Sequence, residues 1–457
     1  MPDTNSIDLA SLRSRITGSV TTPTDDRYDE SRKLFYGMVE GKPSAIVRVA
    51  SASDVSAVLQ IAHESGVEVA VRSGGHSLAG HSTTDGGLVI DVRSLNDLDI
   101  DVDSASVWAG AGVTAAEYTT AAGEFGLGTG FGDTGSVGIS GITLGGGVGF
   151  LVRKYGLTVD SLLAAEIVTA DGQVLLTDPE SHPDLFWAIR GGGGNFGVVT
   201  RLQFALHPVD PFVGGFIALP ATAEVIEGFL ALSESAPEDL STIANVMSAP
   251  PMPFIPEELV GKTVVMGIIA WCGPVESGQT MIERFRALGE PLLDMLAVMP
   301  YPQMYPPEDE DYAPTGAANT GFAERVDTKK IATILEEIET SDAPLRAVQL
   351  RALGGAMARI PNDATAFAHR DRNLMVNVAA FYEGEEDRPR RETWVRSLSN
   401  MLTEGDTRGY VGFLADEGSD RIRAAYPGPT WDRLREVKAK YDPENLFRRN
   451  QNIPPAT

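Results

Sequence analysis

The sequence predicts an α+β protein of more than one domain, and three observations carry that reading. The chain has 457 residues, more than a single hydrophobic core usually organises. Residues 44–205 alternate short β-patterned runs with amphipathic stretches and glycine-rich loops. Near Pro208 the texture changes to longer helices, longer strands and two proline-rich segments.

The elements follow in order. "SAIVRVA" (44–50) reads as a strand. Ser53 is placed to cap a helix whose Val55, Val58, Leu59 and Ala62 share one face, and Gly66 ends it. "VEVAV" (67–71) alternates as a strand, so the loop "VRSGGHSLAGHSTTDGG" (71–87) leaves that strand's C-terminal end. "GLVIDV" (87–92) is the next strand. "SVWAGAG" (106–112) leads to a helix opened by a capping box, Thr114 and Glu117. A second glycine cluster fills 128–151. "AAEIVTADGQVLL" (164–176) turns at Asp171-Gly172, "PDLFWAIR" (183–190) is helical, and "GGGGNFG" (191–197) leads into the strand "VVTRLQFAL" (198–206). Beyond Pro208, amphipathic helices are expected over 222–235, 277–289 and 328–341. The strands there are "KTVVMGIIAW", "RAVQLRAL" and "LMVNVAAFY". The loops "APPMPFIPEE" and "MPYPQMYPPEDEDYAP" interrupt them, and the acidic run 308–311 reads as solvated. A helix, "WDRLREVKAKYDPENLF", precedes the terminal "RRNQNIPP".

Composition excludes several functions. The net charge of −26 repels phosphate backbones and anionic lipid, so neither a nucleic-acid nor a membrane partner is expected. Cys272 is the only cysteine, which rules out an internal disulfide and a cysteine metal cluster. His76 and His81 have no clustered carboxylate beyond Asp85, so no metal site is expected. "MPDTNSIDLASLRSR" lacks a basic-then-apolar leader and no apolar run reaches membrane-spanning length; the expected location is the cytoplasm.

The glycine loops carry the chemistry. After a strand, the amides of Ser73, Gly74, Gly75, His76 and Ser77 can close on an anion such as a pyrophosphate. Gly135, Gly138, Gly141 and Gly145–Gly147 are spaced so that the backbone can lie flat against a planar ligand. Two such cradles point to a dinucleotide. "GGGNFG" (192–197) matches G-x-G-x-x-G, but here a helix precedes and a strand follows, the reverse of a nicotinamide-binding fingerprint. That reading is rejected, and Asn195 and Phe196 are read as a helix-to-strand turn. A neutral imidazole is also a nucleophile, and flavins accept one at the 8-methyl carbon, a link that raises the reduction potential and prevents loss.

"RSGGHSLAG", "VGISGITLGGGVGFLVRKYGLTVD", "ADGQVLLTDPESHPDLFWAIRGGGGNFGVVT" and "KYDPENLFRRNQNIPP" together resemble the FAD-linked oxidases with a vanillyl-alcohol-oxidase-type FAD domain, in the berberine-bridge-enzyme-like group. The resemblance is strongest over 30–207 and 415–457. It implies a two-part FAD-binding domain (PCMH type), 1–207 with 415–457, and an inserted substrate domain, 208–414, of antiparallel sheet plus helices. It further implies that His76 is bound covalently to FAD and that Arg72, Ser73, Gly74, Gly75 and Ser77 wrap the pyrophosphate. Ser140, Gly141 and Val199 would contact the dinucleotide, with Gly138 in the same loop, and Asn450 and Asn452 would approach the isoalloxazine. Many members add a second link from a cysteine; Thr134 stands there, so a single link is implied. Val137 occupies the family's oxygen gate, where valine goes with access of O2. His81 either lines the flavin or bonds within its loop, the latter being favoured.

For the substrate, many relatives use a tyrosine base in "Y-x-N-Y". Here the segment is "YVGF" (410–413), with Phe413 in the tyrosine's place. On "AVQLRALGG", alternation sends Gln349, Arg351 and Leu353 to one face, which the resemblance turns toward the flavin. Arg351 cannot act as a base. It either binds an anionic substrate, stabilises a developing oxyanion or pairs with an acidic neighbour. Tyr382 and Tyr410 are the other polar catalytic candidates; Tyr301, Tyr305 and Tyr312 are candidates for the entrance. The expectation is an FAD-dependent oxidase acting on a small molecule and O2, as a monomer or homodimer. The alternatives are a dehydrogenase with a non-oxygen acceptor, an oxidative cyclase of a secondary metabolite and a non-catalytic flavin-binding protein.

Overall fold

The computed structural model describes residues 7–251, 255–307 and 312–457. The acidic run 308–311 and the centre of the first proline-rich loop lie outside the described residues.

The first layer is a four-stranded sheet in the order Ser19–Thr21, Ala45–Arg48, Leu88–Asp91, Val69–Arg72. Its last three strands are parallel, so a crossover is needed between Ala45–Arg48 and Val69–Arg72. Ala52–Ser65 supplies it, with Val55, Val58, Leu59 and Ala62 buried. The cap is Ser51, not Ser53: its Oγ accepts the Asp54 N–H at 3.2 Å, and Ser53 already lies inside the first turn. Gly66 ends the helix at φ 61°, a left-handed conformation that favours glycine.

A five-stranded antiparallel sheet follows, ordered Leu98–Asp101, Ser106–Gly110, Val198–Ala205, Leu162–Val168, Val174–Thr177. The Thr114–Glu117 capping box forms as expected. So does the turn after helix Pro183–Ile189, closed by Asn195 Nδ2 donating to the Gly192 carbonyl at 2.8 Å.

Residues 212–381 build the third sheet. Its order is Leu293–Asp294, Phe212–Pro220, Thr263–Trp271, Leu240–Ser248, Arg346–Ala352, Leu374–Phe381, Gly316–Ala323. One face packs on helices Ala223–Ser235, Val275–Arg286, Thr328–Thr340 and Arg388–Leu402 through Phe229, Phe285, Ile334, Leu398, Val348 and Val376. The predicted helix 277–289 starts and stops earlier, because Pro274 precedes its first turn and the backbone leaves the helix at Ala287.

Helix Pro429–Tyr441 and the terminal segment join the core of the first two sheets through Leu434, Val437, Phe447 and Ile453. Lys438, fully buried, fixes this segment: its Nζ donates to the carbonyls of Asn195 (2.7 Å) and Phe447 (2.9 Å) and pairs with Asp442 (2.7 Å). Two buried arginines tie the third sheet to the rest. Arg370 makes a two-pronged pair with Asp160, the strong geometry for guanidinium and carboxylate. Arg153 donates to the Ser233 and Ala236 carbonyls at the C-terminal end of helix Ala223–Ser235, where a cation offsets the helix dipole.

Tyr301 and Tyr305 do not line an entrance. Both are buried, and the Tyr305 hydroxyl accepts the Phe131 N–H (3.4 Å) and donates to the Gly132 carbonyl (3.3 Å), with Tyr301 Oη 3.1 Å away. Tyr312 alone of the three is exposed. Tyr305→Phe is expected to cost about 1–3 kcal/mol, since it strips partners from buried backbone; urea unfolding of the two proteins side by side measures it.

Candidate active site

The two glycine loops meet and leave a cavity of about 410 Å³ at the seam. Contact is backbone to backbone: a Cβ on Gly74 would lie 2.3 Å from the Gly138 nitrogen, and one on Gly138 2.1 Å from Ser73 Oγ. Any larger residue would force the loops apart. Ser73 Oγ and Ser140 Oγ both donate to the Ala111 carbonyl at 2.8 Å. Those hydroxyls pin the loops to the second sheet and leave the neighbouring amides to the cavity. Gly141 and Gly194 line it with nothing within 4 Å of an added Cβ, so bare backbone faces the space. Asn450, on the cavity wall, has a buried Oδ1 without a protein partner. Bare backbone, open amides and orphaned acceptors fit a flat, polar-edged dinucleotide such as FAD.

His76 stands at the seam. Ser136 Oγ lies 2.9 Å from its Nε2, and its ring stacks on Phe35 with centroids 4.1 Å apart. Ser73, Gly74, Gly75, Ser77, Thr134, Val137, Gly138, Ser140, Gly141, Val199, Asn450 and Tyr410 line the same cavity. Asn452 does not, although its Oδ1 is buried and unpaired.

Arg72 is placed differently from the expectation. Strand alternation turns Val71 to the cavity and Arg72 behind it, where register sets Arg72 beside Asp91. Asp91, with no exposed surface, accepts from Arg48 (3.0 Å), Arg72 (3.0 Å) and Arg93 (2.7 Å). Burial would raise the Asp91 carboxyl, but these bonds and charges outweigh it and hold it low. Burial brings Arg72 down to about 10, still charged at neutral pH. Arg72 therefore braces the loop from beneath.

The catalytic candidates separate. Tyr382 shares parity with Val376, Val378 and Ala380 and is buried in the helix-covered core, away from the cavity. Arg351 is buried and committed: Nε donates to Gln349 Oε1 (2.8 Å), Nη2 to Asp133, Nη1 to the Val148 carbonyl (3.5 Å), and the guanidinium sits 5.3 Å from the Phe413 ring centre. Gln349 passes the chain on to Asn245 Oδ1 at 3.0 Å. Tyr410 faces the cavity and accepts the Gly147 N–H at 3.2 Å; burial pushes its pKa up to about 12.

Sequence reasoning missed Phe35, Tyr36, Asp133 and Asn377, all on the cavity wall. Burial pushes Tyr36 up to about 12. Asn377 pairs in register with Gln349, and its Oδ1 is buried without a partner. His81 also lines the cavity, and its ring makes no bond within its loop, contrary to the favoured expectation. Among the described residues no cluster of three metal-ligating side chains exists and no helix is long and apolar enough to cross a membrane.

Comparison with known proteins gives the same direction. Residues 43–178 match the family described as FAD binding domain, and 409–454 that described as berberine and berberine like. The chain is 31% identical to (R)-6-hydroxynicotine oxidase of Paenarthrobacter nicotinovorans, over 96% of this chain and 97% of that one. It is 30% identical to berberine bridge enzyme-like 17 of Arabidopsis thaliana, over 90% and 85%. The crystal structure of 6-hydroxy-D-nicotine oxidase from Arthrobacter nicotinovorans superposes with a TM-score of 0.86 at 27% identity, covering 96% of this chain and 98% of that one. With an FAD-binding domain in place and this likeness along nearly its whole length, the chain belongs to the berberine-bridge-enzyme-like FAD-linked oxidoreductases.

Proposed function

We propose that this protein is an FAD-dependent oxidase with its flavin held by a single covalent bond to His76. Its substrate is a small molecule with a C–H beside an alcohol, hemiacetal or amine, and O2 is reduced to H2O2. When bound, FAD supplies the acceptor for the substrate's hydride and passes the electrons to oxygen. One observation carries the reading: His76 stands where the two glycine loops touch, its ring fixed by Ser136 and Phe35.

The residues around it divide the work. Backbone amides of 73–77 suit the pyrophosphate, and the Asp91 cluster keeps that loop in place. Thr134 stands where a second link would attach, which supports a single one. Val137 on the cavity wall supports oxygen as the acceptor. Arg351 is buried, is absent from the cavity wall, and gives one hydrogen bond from each nitrogen to Gln349, Asp133 and Val148, so it is a poor receptor for an anionic substrate. Asn377 presents an uncharged amide on the wall, which, with no free cation beside it from Arg351, supports a hydroxyl or amine substrate over an acid. Tyr410 and Tyr36 keep their protons at neutral pH and act as hydrogen-bonding positioners rather than bases.

A panel of alcohols, sugars and amines tests this. At least one compound is expected to bleach the visible flavin band under nitrogen and to release peroxide when air is admitted. Bleaching without peroxide in air identifies a dehydrogenase instead, and no bleaching with any compound overturns both.

A further inference from the structure

His81 lies five residues beyond His76 on the same loop, and its backbone is fixed on several sides. Its N–H donates to Ser77 Oγ at 3.3 Å. Arg449 grips the chain on either side of it, donating from Nε to the Thr83 carbonyl (2.9 Å) and from Nη2 to the Gly80 carbonyl (3.4 Å). Gly80 turns at φ 72° against Val39. The imidazole is thereby set on the cavity wall with Ser77, Leu78, Ser82, Arg449 and Gln451.

Both of its ring nitrogens are out of solvent and neither has a hydrogen-bond partner. The Gln451 side chain lies beside the ring and favours its charged form, but without the geometry of a hydrogen bond, and its Nε2 donates to the Leu414 and Ala415 carbonyls. The other histidines are served: His76 by Ser136, His207 by Ser161, His369 by the Ala425 carbonyl, His182 by Tyr441, and His63 by Glu444. Buried polar atoms are almost always paired, and an exception held by a rigid backbone points to an absent partner. Burial and the Arg449 charge push His81 down to about 4, so the ring is neutral, with one donor and one acceptor. That matches a partner presenting both a hydroxyl and a carbonyl or ring nitrogen, as the ribityl chain and pyrimidine edge of a flavin do.

We propose that His81 is a cofactor ligand whose imidazole hydrogen-bonds to the polar edge of FAD and sets its reduction potential. This rests on the FAD reading above. The test uses the holoprotein, with wild type, H81M and H81Q equilibrated anaerobically against redox dyes. H81M is expected to change the two-electron equilibrium constant at least about tenfold, ~30 mV, and to shift the flavin absorption bands. H81Q, which keeps a donor and an acceptor, should move less than half as far. A wild-type potential and spectrum in H81M, or equal displacement in both variants, overturns the proposal. If H81M does not fold, H81Q is compared with H81N, whose shorter amide should move the potential further; equal values overturn it. A wild type without FAD sinks the FAD reading itself, a result distinct from an unchanged potential in yellow variants.

Discussion

His76→Ala should abolish covalent flavin: acid precipitation is expected to leave a colourless pellet and all FAD in the supernatant, where wild type leaves a yellow pellet. The argument is one of atoms. An alanine offers no nucleophile, and no cysteine replaces it, because Cys272, the single cysteine of the sequence, is buried away from the cavity. Binding itself should survive. The Gly74–Gly138 contact, the serines on Ala111 and the Asp91 brace do not involve the imidazole, so the variant should still take up FAD reversibly. Turnover should fall by about tenfold or more, equivalent to about 1.4 kcal/mol of barrier, because a flavin without the link is a weaker oxidant. A pellet that stays yellow would show that another side chain holds the cofactor.

How much of this was readable in advance depends on the range of the interactions. The glycine loops and the Thr114–Glu117 box are local, and both stand where the sequence puts them. Alternation also held information that a motif reading passed over. Arg72 follows Val71 by one residue, so the two must face opposite ways. Tyr382 has the parity of Val376 and Val378, which places it on the helix-covered face. Asn377 has the opposite parity, and a lone amide in "LMVNVAAFY" was a signal for the site face. Ser51 and Ser53 are two residues apart before one helix, and composition does not choose between them. Other features were beyond reach. The stacking of Phe35 on His76 joins segments forty residues apart, and the Arg351–Asp133 pair spans more than two hundred. Only the folded chain brings them together.

That last pair gives the second large effect. Arg351→Met removes the guanidinium and leaves the Asp133 carboxylate on the cavity wall without a cation, while Gln349 Oε1 loses its donor. Arg351 is buried but Asp133 is only half-buried, so the stranded carboxylate keeps some access to water and about 1–3 kcal/mol of stability should be lost, the cost of leaving partly buried polar groups without their partner. Asp133→Asn should cost a similar amount, as Arg351 is then the uncompensated group. With both substitutions neither charge is stranded, so the double variant should recover about 1–3 kcal/mol relative to the sum of the single losses, read from denaturant midpoints of the three proteins. Activity separates the two roles open to Arg351. Each of its nitrogens bonds within the protein, so it is expected to act as a tether between the 132–134 loop and the third sheet. On that account, activity in the double variant returns with stability, chiefly through KM. If the guanidinium instead touched substrate, the double variant would be stable and remain inactive, because stability is indifferent to which residue removes the charge whereas a lost substrate contact cannot be restored by neutralising its partner.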